Sequence, residues 1–505
     1  MKKIPIIKTF LVGSLLMGAV SLHATTYWVD SVNGNDNNNG MSGPAAAWKS
    51  IVTANNRWGT AQYPLTAGDH VEFANGSTWN YPILFTGVSG GVGNNILVQN
   101  YTPANGNTNP PLINAQNLWC GVQLWNCSCI TIQGITVNGV NTGANGVFIY
   151  ATNYISSGIV VDNINVQNTA NLGSGVYVRP NTGGMVNNLT IKNSKFSGVY
   201  YGVDVDPLWG GAWWPWGCFF GATKILVDNI TCTQNGGYDG LFLHNCQYVT
   251  FQNSTVTGAE ASWMQACEFY LAHNIICTGA HAATDGTGIH IDFDNAYVTI
   301  EDCYFANNSG GFVEILPRCY NCCFRYNLSF NDGSRVNGQN GAGQNGKSLW
   351  IADNCENIYV YNNMISVSNF VSKISFGTNI NAVIENNVLN YVGTTTDDPQ
   401  FGNHLLQDGV NNCVVTHNNV TPYSGGYYGV AGLSGPAYIT NPQLNQYGKA
   451  LNPSLINGGV QVGLAPGDTG VAGGPAGVYT GFNKPATDFW GNLTHVNNPN
   501  VGAVQ

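Results

Sequence analysis

The sequence predicts an all-β solenoid, a parallel β-helix wound from short strands. Three observations predict it. A short unit ending in asparagine recurs loosely, every ~20 to 40 residues, a spacing typical of solenoids. Asparagine and glycine (64 residues) are dense throughout, as a fold of many tight turns requires. Only 8% of residues are charged, yet 44% are hydrophobic, so the chain has a core to bury and does not read as disordered. Its 505 residues exceed what one compact core usually needs, but a repeat array absorbs such length in one elongated domain.

Residues 1–24 read as a secretory leader. Lys2 and Lys3 supply the positive start, Phe10 to Val20 the apolar stretch, and Leu22-His23-Ala24 the cleavage site. The apolar stretch is too short for a membrane span, and no later segment offers a transmembrane anchor. The mature chain is expected to be secreted after cleavage near Ala24. Residues 25–94 are expected to form an N-terminal cap and first coil, with a short capping helix from about Ala45 to Asn56. Residues 95–420 carry the β-helix. Residues 421–505 are rich in Gly, Pro and Asn and are expected to form an irregular C-terminal cap.

The repeat unit is an apolar residue, a polar residue and two positions often filled by asparagine. Examples are Val161-Asp162-Asn163-Ile164, Ile191-Lys192-Asn193-Ser194, Val227-Asp228-Asn229-Ile230, Leu271-Ala272-His273-Asn274 and Val360-Tyr361-Asn362-Asn363. The apolar residue points inward and stacks on its equivalent in the next coil. Asparagine suits the corner because it tolerates left-handed backbone and hydrogen-bonds its neighbours. The flanking segments are short, alternating and β-branched, hence strands.

The opening Tyr27-Trp28-Val29-Asp30-Ser31-Val32-Asn33-Gly34-Asn35-Asp36, the following Ala47-Trp48-Lys49-Ser50-Ile51, the Ala67-Gly68-Asp69 stretch and the tail Asp488-Phe489-Trp490-Gly491-Asn492 resemble the right-handed parallel β-helix repeat proteins of the pectate-lyase-like superfamily. The resemblance covers nearly the whole mature chain. It implies a single-stranded, right-handed parallel β-helix with caps at both ends. It implies no single chemistry, because the superfamily holds lyases, hydrolases, epimerases and adhesins.

The 14 cysteines are an even number in a chain bound for an oxidising space. Cys127-x-Cys129 and Cys319-x-x-Cys322-Cys323 have metal-like spacing, but repeat alignment favours interior positions. Cys232 aligns with Phe196, Val256, Ile276 and Phe305. The net charge of -10 argues against nucleic acid, whose phosphates need a basic surface.

About eleven residues before each corner lies another strand, often bounded by glycine. Alternation there turns Val, Ile and Leu inward and leaves two outward columns. One reads Phe148, Tyr177, Asp204, Phe242, His290, Glu314, Trp350. The other reads Tyr150, Arg179, Asp206, His244, Asp292, Leu316, Ala352. These place Asp204, Asp206, His244, His290, Asp292 and Glu314 on one exposed face. The loop Pro207 to Trp216, containing Trp213 and Trp214, would project beside it, and indole rings can cover the apolar faces of sugars. A polar insertion, Gly333 to Lys347, offers another wall.

This composition points to a secreted enzyme acting on extracellular polysaccharide. Asp292 and Glu314 would be the acid and base of a hydrolase, with His290 tuning the pair. Their diagonal separation is roughly 8 Å by strand geometry, within the range of about 6.5–9.5 Å expected of an inverting glycosidase. Asp285 and Asp294 are reserves. Asp204, Asp206, His244, Arg179, Tyr177, Trp213, Trp214 and Trp350 would bind substrate. The alternative is a lyase or epimerase on uronates, in which Asp204, Asp206 and Asp292 would hold Ca2+ and Lys347 could reach in as base. No cofactor follows from the hydrolase reading. A carbohydrate-binding adhesin without catalysis is the third reading. Glu301 and Arg325, and the lattice of Asp162, Lys192 and Asp228, read as structural ion pairs worth under about 1 kcal/mol if exposed.

Overall fold

The computed structural model describes residues 24–420, apart from 116–117, 140–143, 168–172, 182, 208–219, 234–237, 282–284, 334–346, 368–371, 378–379, 392–405, 408–409 and 417. The leader's residues 1–23, Trp213 and Trp214, most of the polar insertion and the expected C-terminal cap lie outside the described residues. The described chain winds as a right-handed parallel β-helix, from Thr26–Val29 to Asn419–Val420. Most full coils contribute one strand to a 12-stranded sheet and two, meeting at the asparagine corner, to a 25-stranded sheet; in two coils a single strand, Cys246–Thr257 or Glu268–Thr278, runs through the corner. Ser174–Pro180, Met185–Lys192 and Lys195–Ser197 make up one such coil. Among the described residues no helix is long and apolar enough to cross a membrane.

The corner explains the repeat. Asn163, Asn193, Asn229, Asn253 and Asn274 have φ between 50° and 53°, the left-handed region that asparagine tolerates. Their side chains form an exposed ladder. Asn229 donates to Asn193 at 2.8 Å and Asn274 to Asn253 at 2.9 Å. The next residue turns inward. In the later coils it is also asparagine, and Asn327, Asn363, Asn387 and Asn418 form a second, buried ladder. Each of the first three donates its backbone N–H and its side-chain Nδ2 to the next Oδ1 at 2.9–3.0 Å. The bend leaves backbone groups without sheet partners, and these amides satisfy them.

The register differs from the expected one at a single coil. Ala272, not Leu271, pairs with Phe251, so its corner is His273-Asn274-Ile275. Both residues are apolar and alternation alone cannot separate them. The same displacement puts Cys277, not Ile276, in the inward row of Phe196, Cys232, Val256 and Phe305. The twelve cysteines whose side chains are described are buried as thiols.

Glycines let the two sheets approach. A Cβ on Gly146, Gly175 or Gly288 would lie 2.3–2.5 Å from the inward side chains of Val166, Phe196 and Phe305. Each glycine immediately precedes the first core residue of a strand in the 12-stranded sheet. At the open end, Ser50 caps the helix Ile51–Arg57 by accepting from the Thr53 N–H at 3.1 Å. Trp58 then stacks on Phe85 at 5.0 Å.

The Glu301–Arg325 pair is structural, as expected, but it is not exposed. Arg325 is 1% exposed, bonds Glu301 at 2.8 Å and donates to Tyr361 Oη at 2.9 Å. Removing one partner of such a buried pair would strand the other. Lys192 and Asp162 do form the expected half-exposed contact, at 3.3 Å.

Asn363→Ala should remove the side-chain donor and the side-chain acceptor at the centre of the buried ladder and strand their partners. The expected loss is about 2–5 kcal/mol, from about 1–3 per stranded group. Asn253→Gly keeps the left-handed corner and should cost under about 1 kcal/mol. Urea midpoints of the two variants test this: an Asn363→Ala change no worse than Asn253→Gly would show that the ladder does not support the coil.

Candidate functional site

The 12-stranded sheet presents the chemistry. Its in-register pairs make one column of Phe148, Tyr177, Asp204, Phe242, Trp263, His290, Glu314 and Trp350. This is the expected column plus Trp263, which an irregular coil concealed. Between these rungs Val203, Leu241, Ile289, Val313 and Leu349 fill the core. In the second column Tyr150 pairs with Arg179, and His244 with Gln265. Asp206 and Asp292 follow the last strand residues and continue the sheet through their N–H groups, to Val178 O at 3.0 Å and Met264 O at 2.8 Å.

A third group joins them: Asp239 and Glu260, which were not legible in the sequence, and Lys347, which the sequence offered only as a residue reaching in from the polar insertion. Asp239 and Glu260 are in-register neighbours. Counting alternation back from Phe242 puts Asp239 inward. The count fails because Gly240 and Leu241 both face the core side: a Cβ on Gly240 would lie 2.6 Å from Val256. The close approach of the sheets thus breaks the two-residue period and returns Asp239 to the outer side. Lys347 stands at the same place on its strand, with Nζ 4.1 Å from the centre of the Trp350 ring.

His290 is the centre of the acid cluster. Its Nδ1 lies 3.7 Å from both Glu260 Oε2 and Asp285 Oδ2, and its Nε2 lies 3.7 Å from Glu314 Oε2. Among the described residues neither ring nitrogen has a hydrogen-bond partner, and neither does Glu314 Oε2. Glu260 is fixed from its other oxygen, which accepts from Thr287 N at 3.2 Å and Thr287 Oγ1 at 3.3 Å. Burial alone would lower the His290 pKa, but Glu314, Glu260 and Asp285 together raise it to about 10. Glu314 is pushed up to about 8 by burial, against the pull of His290 and with Asp285 and Glu260 adding to the rise. Burial also raises Asp292, with His290 opposing. Burial and then Glu260 hold Asp239 well above the usual carboxylate range. One imidazolium therefore serves more carboxyl groups than it can neutralise, and some of them keep a proton.

The flank is aromatic and polar. Phe242 stacks on Trp263 at 4.5 Å, and Trp263 meets His244 and His290 edge-on at 5.0 and 6.0 Å. His244 contacts Asp206 at 3.3 Å and Gln265 at 2.8 Å. Asp204 accepts from Ser174 at 3.2 Å, and burial, then Asp206, raises its pKa to about 7. Asp294, a reserve candidate, is committed to Arg318 by two bonds of 2.7 and 2.9 Å.

The sheet therefore brings Asp204, Asp206, His244, His290, Asp292 and Glu314 to one side, with Tyr177, Arg179 and Trp350 along the same columns. It does not leave them all exposed. Asp204, His290 and Glu314 are 8%, 4% and 2% exposed, because aromatic and acidic neighbours on adjacent coils cover them. The calcium ligand set is not supported. Among the described residues, the groups with three ligand atoms within 4.8 Å of one another are Glu260, Asp285, His290 and His273, Glu301, Asp302. Each contains an imidazole, whereas calcium takes oxygen ligands. Asp204, Asp206 and Asp292 form no such group.

No family model matches the chain, and no curated protein matches it in sequence. Solved structures do share its fold. A lacto-N-biosidase from Eubacterium ramulus matches in its selenomethionine form with a TM-score of 0.57 and 16% identity, over 78% of this chain and 67% of that one. The native form gives 0.55 and 14% over the same shares. An alginate lyase from a Paenibacillus species is more distant, at a TM-score of 0.39 and 13% identity over 72% of this chain and 97% of that one.

The cluster links stability to pH. Unfolded, Glu314 ionises near its ordinary 4.5; folded, it holds its proton to about 8. Its contribution is thus fully present below 4.5 and is lost as pH rises through about 8. His290, raised to about 10, acts with the same sign over higher pH. Glu314→Gln should lose less stability than the parent between pH 5 and 8.5. Denaturation midpoints across that window test it, and parallel curves for the two proteins would contradict it.

Proposed function

We propose that this protein is an exported carbohydrate-active enzyme that hydrolyses glycosidic bonds in a neutral or weakly acidic polysaccharide. Export rests on the leader at residues 1–24. The hydrolytic reading rests on one observation above the rest: the Glu314 carboxyl, buried beside His290, holds its proton to about 8 and has an unpartnered oxygen. A neutral carboxylic acid at working pH is what a general acid must be. The fold shared with a lacto-N-biosidase is consistent with this reading.

In the proposed reaction Glu314 donates its proton to the glycosidic oxygen as the bond to the anomeric carbon breaks. Asp292 takes a proton from water, and the oxygen of that water attacks the same carbon from the opposite face. The diagonal spacing of roughly 8 Å leaves room for that water and predicts inversion. Glu314 ends ionised and Asp292 protonated, and exchange with solvent resets both. His290 positions Glu314. The stacked rings of Phe242 and Trp263 lie beside the cluster, as a platform for sugar faces would.

A second reading has a specific observation in its favour. Burial lowers the Lys347 pKa, with Glu314 opposing, and the amine lies beside Glu314 in the same sheet. An amine whose pKa is lowered suits the role of base abstracting a proton next to a uronate carboxyl. On that reading the products carry a C4–C5 double bond.

Glu314→Gln and Asp292→Asn keep shape and remove proton transfer, so each should lower kcat by roughly 10²–10⁴-fold with glycan binding retained. A polysaccharide panel read for both new reducing ends and unsaturated-uronate absorbance checks this. Full activity in both variants would refute the assignment. Unsaturated products abolished by Lys347→Met would establish the lyase, and binding without cleavage by the parent would establish an adhesin.

A further inference from the structure

We infer that Arg179 and the rings beside it form a remote subsite for an acidic sugar unit of the bound glycan. The inference takes its occupant from the glycan-active reading above. Trp125, Tyr150 and Arg179 stand on consecutive rungs of one column. Trp125 is 42% exposed and packs edge-on against Tyr150 at 5.2 Å. Nearby Trp119 is 54% exposed and packs the same way against Phe148 at 5.5 Å. These indoles are in contact with other rings yet open to solvent, as a sugar-stacking surface requires.

Arg179 gives the subsite its chemistry. Its guanidinium lies 5.7 Å from the centre of the Tyr177 ring, and its buried Nε has no hydrogen-bond partner among the described residues. It forms no ion pair among the described residues. The adjacent carboxylate, Asp206, contacts His244 at 3.3 Å instead. An arginine with unused donors beside exposed rings fits a sugar whose ring stacks and whose carboxylate takes the guanidinium.

Position separates this requirement from the cleavage site. Four strand steps lie between Arg179 and His290, roughly 19 Å along the axis. Near His290 the cluster of Glu260, Asp285, Asp292 and Glu314 disfavours a substrate carboxylate. At Arg179 the balance reverses. The molecule therefore selects a chain that is neutral where it is cut and carries an acidic unit several residues away, along columns shared by both places.

Calorimetric titration on the Glu314→Gln background, which prevents turnover by the proposed acid, tests this. The probes are matched pairs: an oligogalacturonate against its full methyl ester, and a glucuronoxylan oligosaccharide against the same xylan without its uronate. The acidic member of at least one pair should bind about tenfold more tightly. Arg179→Gln should abolish that preference, while Trp125→Ala should weaken both members of the pair. No acidic preference in any pair, including no binding at all, overturns the subsite, as does a preference that survives Arg179→Gln. The readout is binding, so it stands whether the enzyme proves a hydrolase or a lyase.

Discussion

Each coil must place its inward side chains directly over those of the coil before, and the rest of the structure depends on that constraint. Parallel ladders give the vertical spacing of about 4.8 Å. They do not by themselves stop a strand slipping by one residue, which would turn its apolar set to solvent. The corner prevents the slip. A left-handed asparagine must sit at the same point of every coil, and its amide bonds the amide beneath it. Where the corner's inward position is also asparagine, as at Asn327, Asn363 and Asn387, a buried ladder fixes the later coils by the same rule.

That vertical order makes the site. His290 and Glu314 are far apart in sequence but become neighbours because Ile289 and Val313 must stack beneath them. The glycine row adds a second effect. It brings the 12-stranded sheet close to the inward row of the other sheet, and in doing so shifts the residue before each glycine to the outer side. Asp239, before Gly240, and Glu260, before the small Ala261 beside it, enter the cluster in this way, and the acid surface gains a third column.

The electrostatic consequence is a site with an excess of carboxyl groups. Glu260, Asp285 and Glu314 surround one imidazole, with Asp239 and Asp292 nearby. Full ionisation of all of them would place several like charges in a poorly solvated space, so protons are retained. The same arrangement lets one cluster hold a proton donor and a proton acceptor near neutral pH.

Much of this was legible in the sequence. The period-two alternation, the asparagine corners and the glycine boundaries determined a parallel β-helix, its inward rows, and the shared side of Asp204, His290, Asp292 and Glu314. These are local signals, repeated often enough that chance cannot imitate them. Three matters were decided only by tertiary structure. The Leu271–Ala272 ambiguity was settled by what stacks on Phe251. Asp239, Glu260 and Lys347 joined the face because packing between sheets broke the alternation. Burial of His290, Glu314 and Arg325, and with it their charge state, came from neighbours on other coils. Alternation reports which side of a strand a residue takes; only the stacked coils decide what covers it there.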